Sequence, residues 1–153
     1  MGVFDKSICD CCVCPMQSVL EQLVGQIVGI VTPTFTDFVT LNQVKDFLAY
    51  TNIGIIPICE ISVCSTFDPT IPVDIKKRIK KSKGECACCE DPITNIAKSL
   101  IGETVDIELL YPPGSSPFTD EIMDVGEGIV VGRFQIFTDF LSSCAITKII
   151  TTN

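Results

Sequence analysis

The sequence predicts a mainly β protein built from two small antiparallel barrels in tandem, each led by a short helix. Three observations predict it: an internal repeat, strand-sized apolar runs separated by turns, and a composition that suits β-structure. The chain has 153 residues, of which 46% are hydrophobic, so a buried core is available and a largely disordered chain is excluded. Pro, Gly, Thr, Val and Ile are plentiful and Trp is absent, as in small β-folds with many turns. No apolar run approaches the length of a membrane-spanning helix. The first ten residues hold no basic segment followed by an apolar one, so no secretory signal is expected.

The repeat is the strongest signal. CDCCVCP at Cys9 returns as CACCEDP at Cys86 with a constant offset of 77 residues. Cys9, Cys11, Cys12 and Pro15 fall on Cys86, Cys88, Cys89 and Pro92. Val19, Leu23, Gly25, Val28 and Ile30 fall on Ile96, Leu100, Gly102, Val105 and Ile107. After a loop of different length Val44 matches Val125, and near each unit's end Cys59 matches Cys144. Two copies are too few for a solenoid, so tandem domains are expected. Residues 1–14 read as a Cys-rich arm, 15–64 as the first barrel, 65–91 as a linker, and 92–153 as the second barrel.

Within a unit each element has its own reason. Pro15 suits a first helical position, and Val19, Leu20, Leu23 and Val24 recur at helical spacing as one apolar face. Gly25 and Gly102 end the two helices. Ile27, Val28, Ile30 and Val31 form a strand-like run that Pro33 breaks. Further runs follow over residues 38–41, 44–50 and 53–63, and in the second unit over 105–111, 121–125, 128–134, 135–141 and 144–150. About five short strands in about 50 residues lose their edges by closing into a barrel.

The linker is basic and the barrels are acidic. Lys76, Lys77, Arg78, Lys80, Lys81 and Lys83 are six of the eleven basic residues, set against nineteen acidic ones and a net charge of −8. Such a balance repels phosphate, and the run has no interleaved aromatic side chain for stacking bases, so no nucleic-acid partner is expected and the run reads as a solvated linker.

Ten cysteines and no histidine leave four chemistries to weigh. Cys11-x-x-Cys14 and Cys86-x-x-Cys89 have the spacing of two halves of a zinc site. The repeat, however, aligns Cys11 with Cys88, and Cys14 falls on Asp91, so the second unit lacks that ligand; no metal or other cofactor is expected. Catalysis lacks a histidine base, paired carboxylates in a motif, a phosphate loop and a nucleophile elbow, so no enzyme is expected. Cys59 and Cys144 read as small apolar residues inside strands, and together with Cys64 as core or disulfide positions. Cys9, Cys11, Cys12 and Cys14 precede the helix with Asp10 among them and read as exposed. Cys11 and Cys12 bond to each other only with strain. An arm of about 14 residues reaches roughly 45 Å when extended. These four thiols are therefore read as fasteners to another subunit, with Cys86, Cys88 and Cys89 as acceptors. A head-to-tail contact of this kind that does not close makes a filament or lattice.

Two resemblances attach to these residues. The helix, LVGQIVGI and the hairpin with VKDFLAY resemble the Sm-like and SH3-like small barrels. RNA-binding Sm proteins carry an Asn where this chain has Ala49 and an Arg-Gly in the last hairpin, which is missing here, so the resemblance implies architecture and no RNA site. ICDCCVCPMQSVLEQLVGQIVGI, on acidic β-modules without His or Trp, resembles the Cys-rich proteins of spore coat, exosporium and spore appendages of Gram-positive bacteria. That resemblance implies self-assembly into disulfide-linked layers or fibres, with other spore-surface proteins as further partners and no membrane. It implies synthesis in the mother-cell cytoplasm without a signal and oxidation after lysis. A soluble tandem adaptor and a thiolate zinc protein are the alternatives.

Overall fold

A computed structural model describes residues 13–68, 70–75 and 90–151. Its first half runs α1 (Val13–Glu21), β1 (Ile27–Val31), β2 (Thr36–Lys45), β3 (Leu48–Thr51), β4 (Gly54–Pro57), a 3-10 turn (Ile58–Glu60) and β5 (Val63–Thr66). The second half repeats the order: α2 (Asp91–Ser99), β6 (Thr104–Leu109), β7 (Phe118–Gly126), β8 (Ile129–Phe134), β9 (Phe137–Ser142), a 3-10 turn (Ser143–Ala145) and β10 (Ile146–Thr151).

Local chemistry explains the boundaries. The helix turns end at Gly25 and Gly102, both at φ +91°, where L side chains are strained. Gly25 N–H donates to the Leu41 carbonyl and Gly102 N–H to the Ile122 carbonyl, each at 2.7 Å, which locks both helix ends to the second strand of their half. The run over 44–50 is not one strand: Asp46 and Phe47 take positive φ of 53° and 62° and turn the chain into a tight hairpin between β2 and β3. Phe47 N–H in that turn donates to Oε1 of buried Gln17 at 2.8 Å. The run over 53–63 likewise breaks at the 3-10 turn, where Ile61 N–H donates to the Ile58 carbonyl.

The strand registers repeat as well. Val28↔Val39, Leu41↔Thr51, Ala49↔Ile56 and Ile30↔Cys64 have the counterparts Val105↔Asp120, Ile122↔Gly132, Val130↔Leu141 and Ile107↔Ile149. Even the irregularity between Leu41 and Gln43 recurs between Ile122 and Asp124.

The strands nevertheless do not close into the expected barrels. They form one ten-stranded antiparallel sheet in the order β10-β6-β7-β8-β9-β5-β1-β2-β3-β4. Each half contributes five consecutive strands, and β5 of the first half pairs with β9 of the second. Closure within a half would need its fourth and fifth strands to pair; the fifth strand of the first half takes the other half's fourth strand instead. One core gathers Met16, Leu20, Leu23, Ile30 and Leu41 under α1; the other gathers Ala97, Leu100, Ile107, Ile122 and Leu141 under α2. Alternation along the shared strands sends Cys64 and Phe140 to the first core, and Val63 and Leu141 to the second.

Beyond β5, residues 70–75 run back along the first half. Ile71, Val73 and Ile75 pack on its core, and Gln22 is bonded to both backbone groups of Asp74. The basic run at Lys76, Lys77, Arg78, Lys80, Lys81 and Lys83 lies outside the described residues, as do Cys9, Cys11, Cys12, Cys86, Cys88 and Cys89.

Candidate functional site

The cysteines that are described fall into three environments. Cys14 was expected in an exposed arm. The helix starts at Val13 instead, so Cys14 sits in its first turn and is buried. Cys14 and Cys144 each take part in a disulfide, while Cys59 and Cys64 are free thiols. Cys59 and Cys144 were expected inside strands; both sit on 3-10 turns with exposed residues. Cys64 lies wholly buried in β5, where burial, with the nearby Asp139 carboxylate as a smaller cause, pushes its thiol up to about 12. A thiol so reluctant to ionise is a core residue and not a reactive group. Among the described residues no group of three or more Cys, Asp and Glu comes together as a metal cage would need.

The junction of the two halves is the first functional feature. β5 and β9 pair as Val63↔Leu141, Cys64↔Phe140, Ser65↔Asp139 and Thr66↔Thr138. Helix α1 packs against β9 as well as its own strands, and Ile129 and Phe140 of the second half join the first core. The repeat counterparts of these two strands, β4 and β10, are the ends of the sheet. The same comparison explains the exposed hydrophobics. Val19 in α1 is 1% exposed, beside Ile75 and Ile129; its counterpart Ile96 in α2 is 48% exposed. Phe140 in β9 is 4% exposed, and its counterpart Ile55 in β4 is 59% exposed.

The second feature is a cleft of about 360 Å³ beside that junction. Its floor follows one row of paired residues across the sheet, Asp139, Ser65, Gly29 and Phe38. Gly29 and Ser65 keep the floor low. Phe38, Phe118, Phe134 and Phe137 stand around it with Ser116 and Pro117. Phe38, Phe67 and Phe137 hold one another edge-on or stacked, with ring centroids 6.1–6.5 Å apart.

Beneath the cleft two carboxyls meet. Asp120 is 1% exposed and Asp139 is also buried. The Ser65 hydroxyl donates to Oδ1 of Asp139. Burial first, then the neighbouring Asp139 carboxyl through hydrogen bonding and charge, pushes Asp120 up to about 8. Oδ2 of Asp120 has no partner and lies over Gly132, so close that a Cβ there would meet it at 2.3 Å.

None of these residues was singled out from the sequence. The signal was present in the repeat: Asp120 stands where the first half has buried Val39, and Gly132 where it has Thr51. The chain matches no family model, no curated protein and no solved structure.

Proposed function

We propose that the chain is a structural protein, not an enzyme, that adds copies of itself edge to edge and is then fastened by disulfides. The observation that carries this reading is the β5·β9 junction. It joins two repeats through strands whose counterparts, β10 and β4, pair on one side only among the described residues. Shifted by the repeat, the internal register sets Lys148 opposite Ile56, Ile149 opposite Ile55 and Ile150 opposite Gly54 of a neighbouring copy. The counterpart of the buried Cys64–Phe140 contact is then Ile149 against Ile55, apolar on both sides. The neighbour's Ile55 also approaches exposed Ile96 of α2, as Phe140 approaches α1. Two unlike edges that fit each other form a heterologous contact, which yields a ring or an open fibre. Open, apolar edges are otherwise an aggregation hazard that a soluble monomer blunts.

In this reading each repeat is a small Sm-like or SH3-like barrel unit completed by a strand of its neighbour. The fastening thiols are drawn from Cys9, Cys11 and Cys12 and from Cys86, Cys88 and Cys89, joined by exposed Cys59; Cys14, buried and already in a disulfide, is withdrawn from that set. The spore surface is the proposed place of assembly, on the strength of the cysteine-rich sequence, because a cytosolic product oxidised after lysis would be crosslinked there.

Sedimentation of the reduced protein, paired with electron microscopy, tests the edge contact. Wild type is expected to form rings or fibres, and Ile55→Lys or Ile149→Pro to leave folded monomers. Oxidised wild type is expected to resist detergent until reductant is added, and a variant with Ser at Cys9, Cys11 and Cys12 to fall apart. A wild-type protein that stays monomeric both reduced and oxidised would end this reading.

A further inference from the structure

The cleft marks the place where the second repeat departs most from the first. The offset between repeats rises from 77 to 81 residues between the first and second strands of each half. Four residues are thus added before β7, and Ser116 and Pro117 of that longer loop form the cleft's lip. Across the sheet the fold tolerates Val39 and Thr51 in the first half, where the second half has Asp120 and Gly132. A buried carboxyl opposes folding unless a partner compensates it, and the first repeat builds the same strand pair without one. Asp120 is therefore not demanded by the architecture, and Gly132 is the residue that makes room for it.

The surroundings state what would compensate it. The walls are aromatic and apolar, and the volume is within the roughly 300–1,000 Å³ of small-ligand pockets. Asp120 and Asp139 lie under the floor and Asp37 stands on the rim, with no Lys or Arg among the lining residues. Such a site repels anions. It offers the carboxyl groups of Asp120 and Asp139 at its base as hydrogen-bond acceptors, and ring faces that attract cations.

We propose that this cleft binds a small organic ammonium ion, an amine carried on an apolar or aromatic body. The body lies between Phe38, Phe118, Phe134 and Phe137. The ammonium group donates to the carboxylates of Asp120 and Asp139 that line the base of the cleft, and a proton held by Asp120 leaves to solvent. The site is independent of the free sheet edges, so it stands or falls separately from the assembly reading.

Titration of the full, reduced chain with 2-phenylethylammonium, followed by calorimetry and by the ring resonances of the phenylalanines, tests the assignment. Its neutral analogue 2-phenylethanol is the control for apolar filling alone. The amine is expected to bind at least about tenfold more tightly than the alcohol, the scale of losing hydrogen bonds to a charged group. Asp120→Val, which copies the residue of the first repeat, is expected to keep the fold, as read from its melting curve, and to erase the preference for the amine. Asp139→Asn is the second variant should Asp120→Val not fold, with the same loss expected. Equal binding of amine and alcohol, an unchanged preference in a folded variant, or no amine binding at about millimolar concentration would each overturn the proposal.

Discussion

The two halves of the molecule carry the same elements in the same register, yet they differ in what covers them. In the first half α1 faces strands of its own repeat and β8 and β9 of the other, and Val19 is buried. In the second half α2 lies over an equivalent core, but Ile96, in the position of Val19, faces solvent. The first half has been completed by the second; the second has not been completed by anything described. The difference teaches that burial in this fold is decided at the junction between repeats as much as within them, and it locates the surface left over.

The largest test of that equivalence lies in the cores. Leu41 and Ile122 occupy the same register position and both are fully buried. Leu41→Ala and Ile122→Ala are each expected to cost about 2–5 kcal/mol by urea denaturation, the range for emptying a packed aliphatic site. A loss confined to one variant would break the parallel between the halves.

Smaller, and more specific, is the response of the Asp120 and Gly132 pair. Gly132→Thr restores the residue of the first repeat, but its Cβ meets Asp120; a cost of about 1–3 kcal/mol is expected, as for overpacking. In an Asp120→Val background the same change is expected to cost less. A double-mutant cycle measures the difference, and strict additivity would show that the two residues do not compete for one space.

Asp120 also sets a pH dependence with a defined sign. Its folded value, raised from 3.8 to about 8, lies above its unfolded one, so the folded state holds the proton more tightly. The contribution is full below about pH 4 and is lost as pH rises through about 8. Relative to wild type, Asp120→Val is therefore expected to be less pH-sensitive across that window, and its advantage to be greatest near the alkaline end. Urea midpoints at several pH values check this; a wild type that gains on the variant as pH rises would contradict it.

The smallest effect concerns the glycines that end the helix turns. Gly25 and Gly102 share φ +91° and have open space where a Cβ would stand. Gly25→Ala and Gly102→Ala are each expected to cost about 1 kcal/mol, from backbone strain alone. Equal shifts in melting temperature would confirm that the two helix ends are built alike.

Much of the local structure was legible in the sequence. Helix periodicity, the two terminal glycines, the run from Ile27 to Val31 and the 77-residue offset are properties of neighbouring residues, and neighbouring residues suffice to specify a helix, a turn and a strand. The hairpin turn at Asp46 and Phe47 was not legible, because Asp suits a positive φ but a bulky Phe in the second position does not advertise one. Cys14 was misplaced because helix starts are read only to within a turn.

By itself the sequence determined a β-rich chain made of one helix-led unit used twice, since periodicity and glycine positions act over a few residues. The tertiary structure alone decided that the sheet stays open, that β5 pairs with β9, and that Asp120 and Asp139 meet beside Gly132 under a wall of phenylalanines. The physical reason is that a strand carries hydrogen-bonding groups on both edges whatever its side chains. Which edge it pairs, and so which distant residues become neighbours, is settled by the packing of the whole chain.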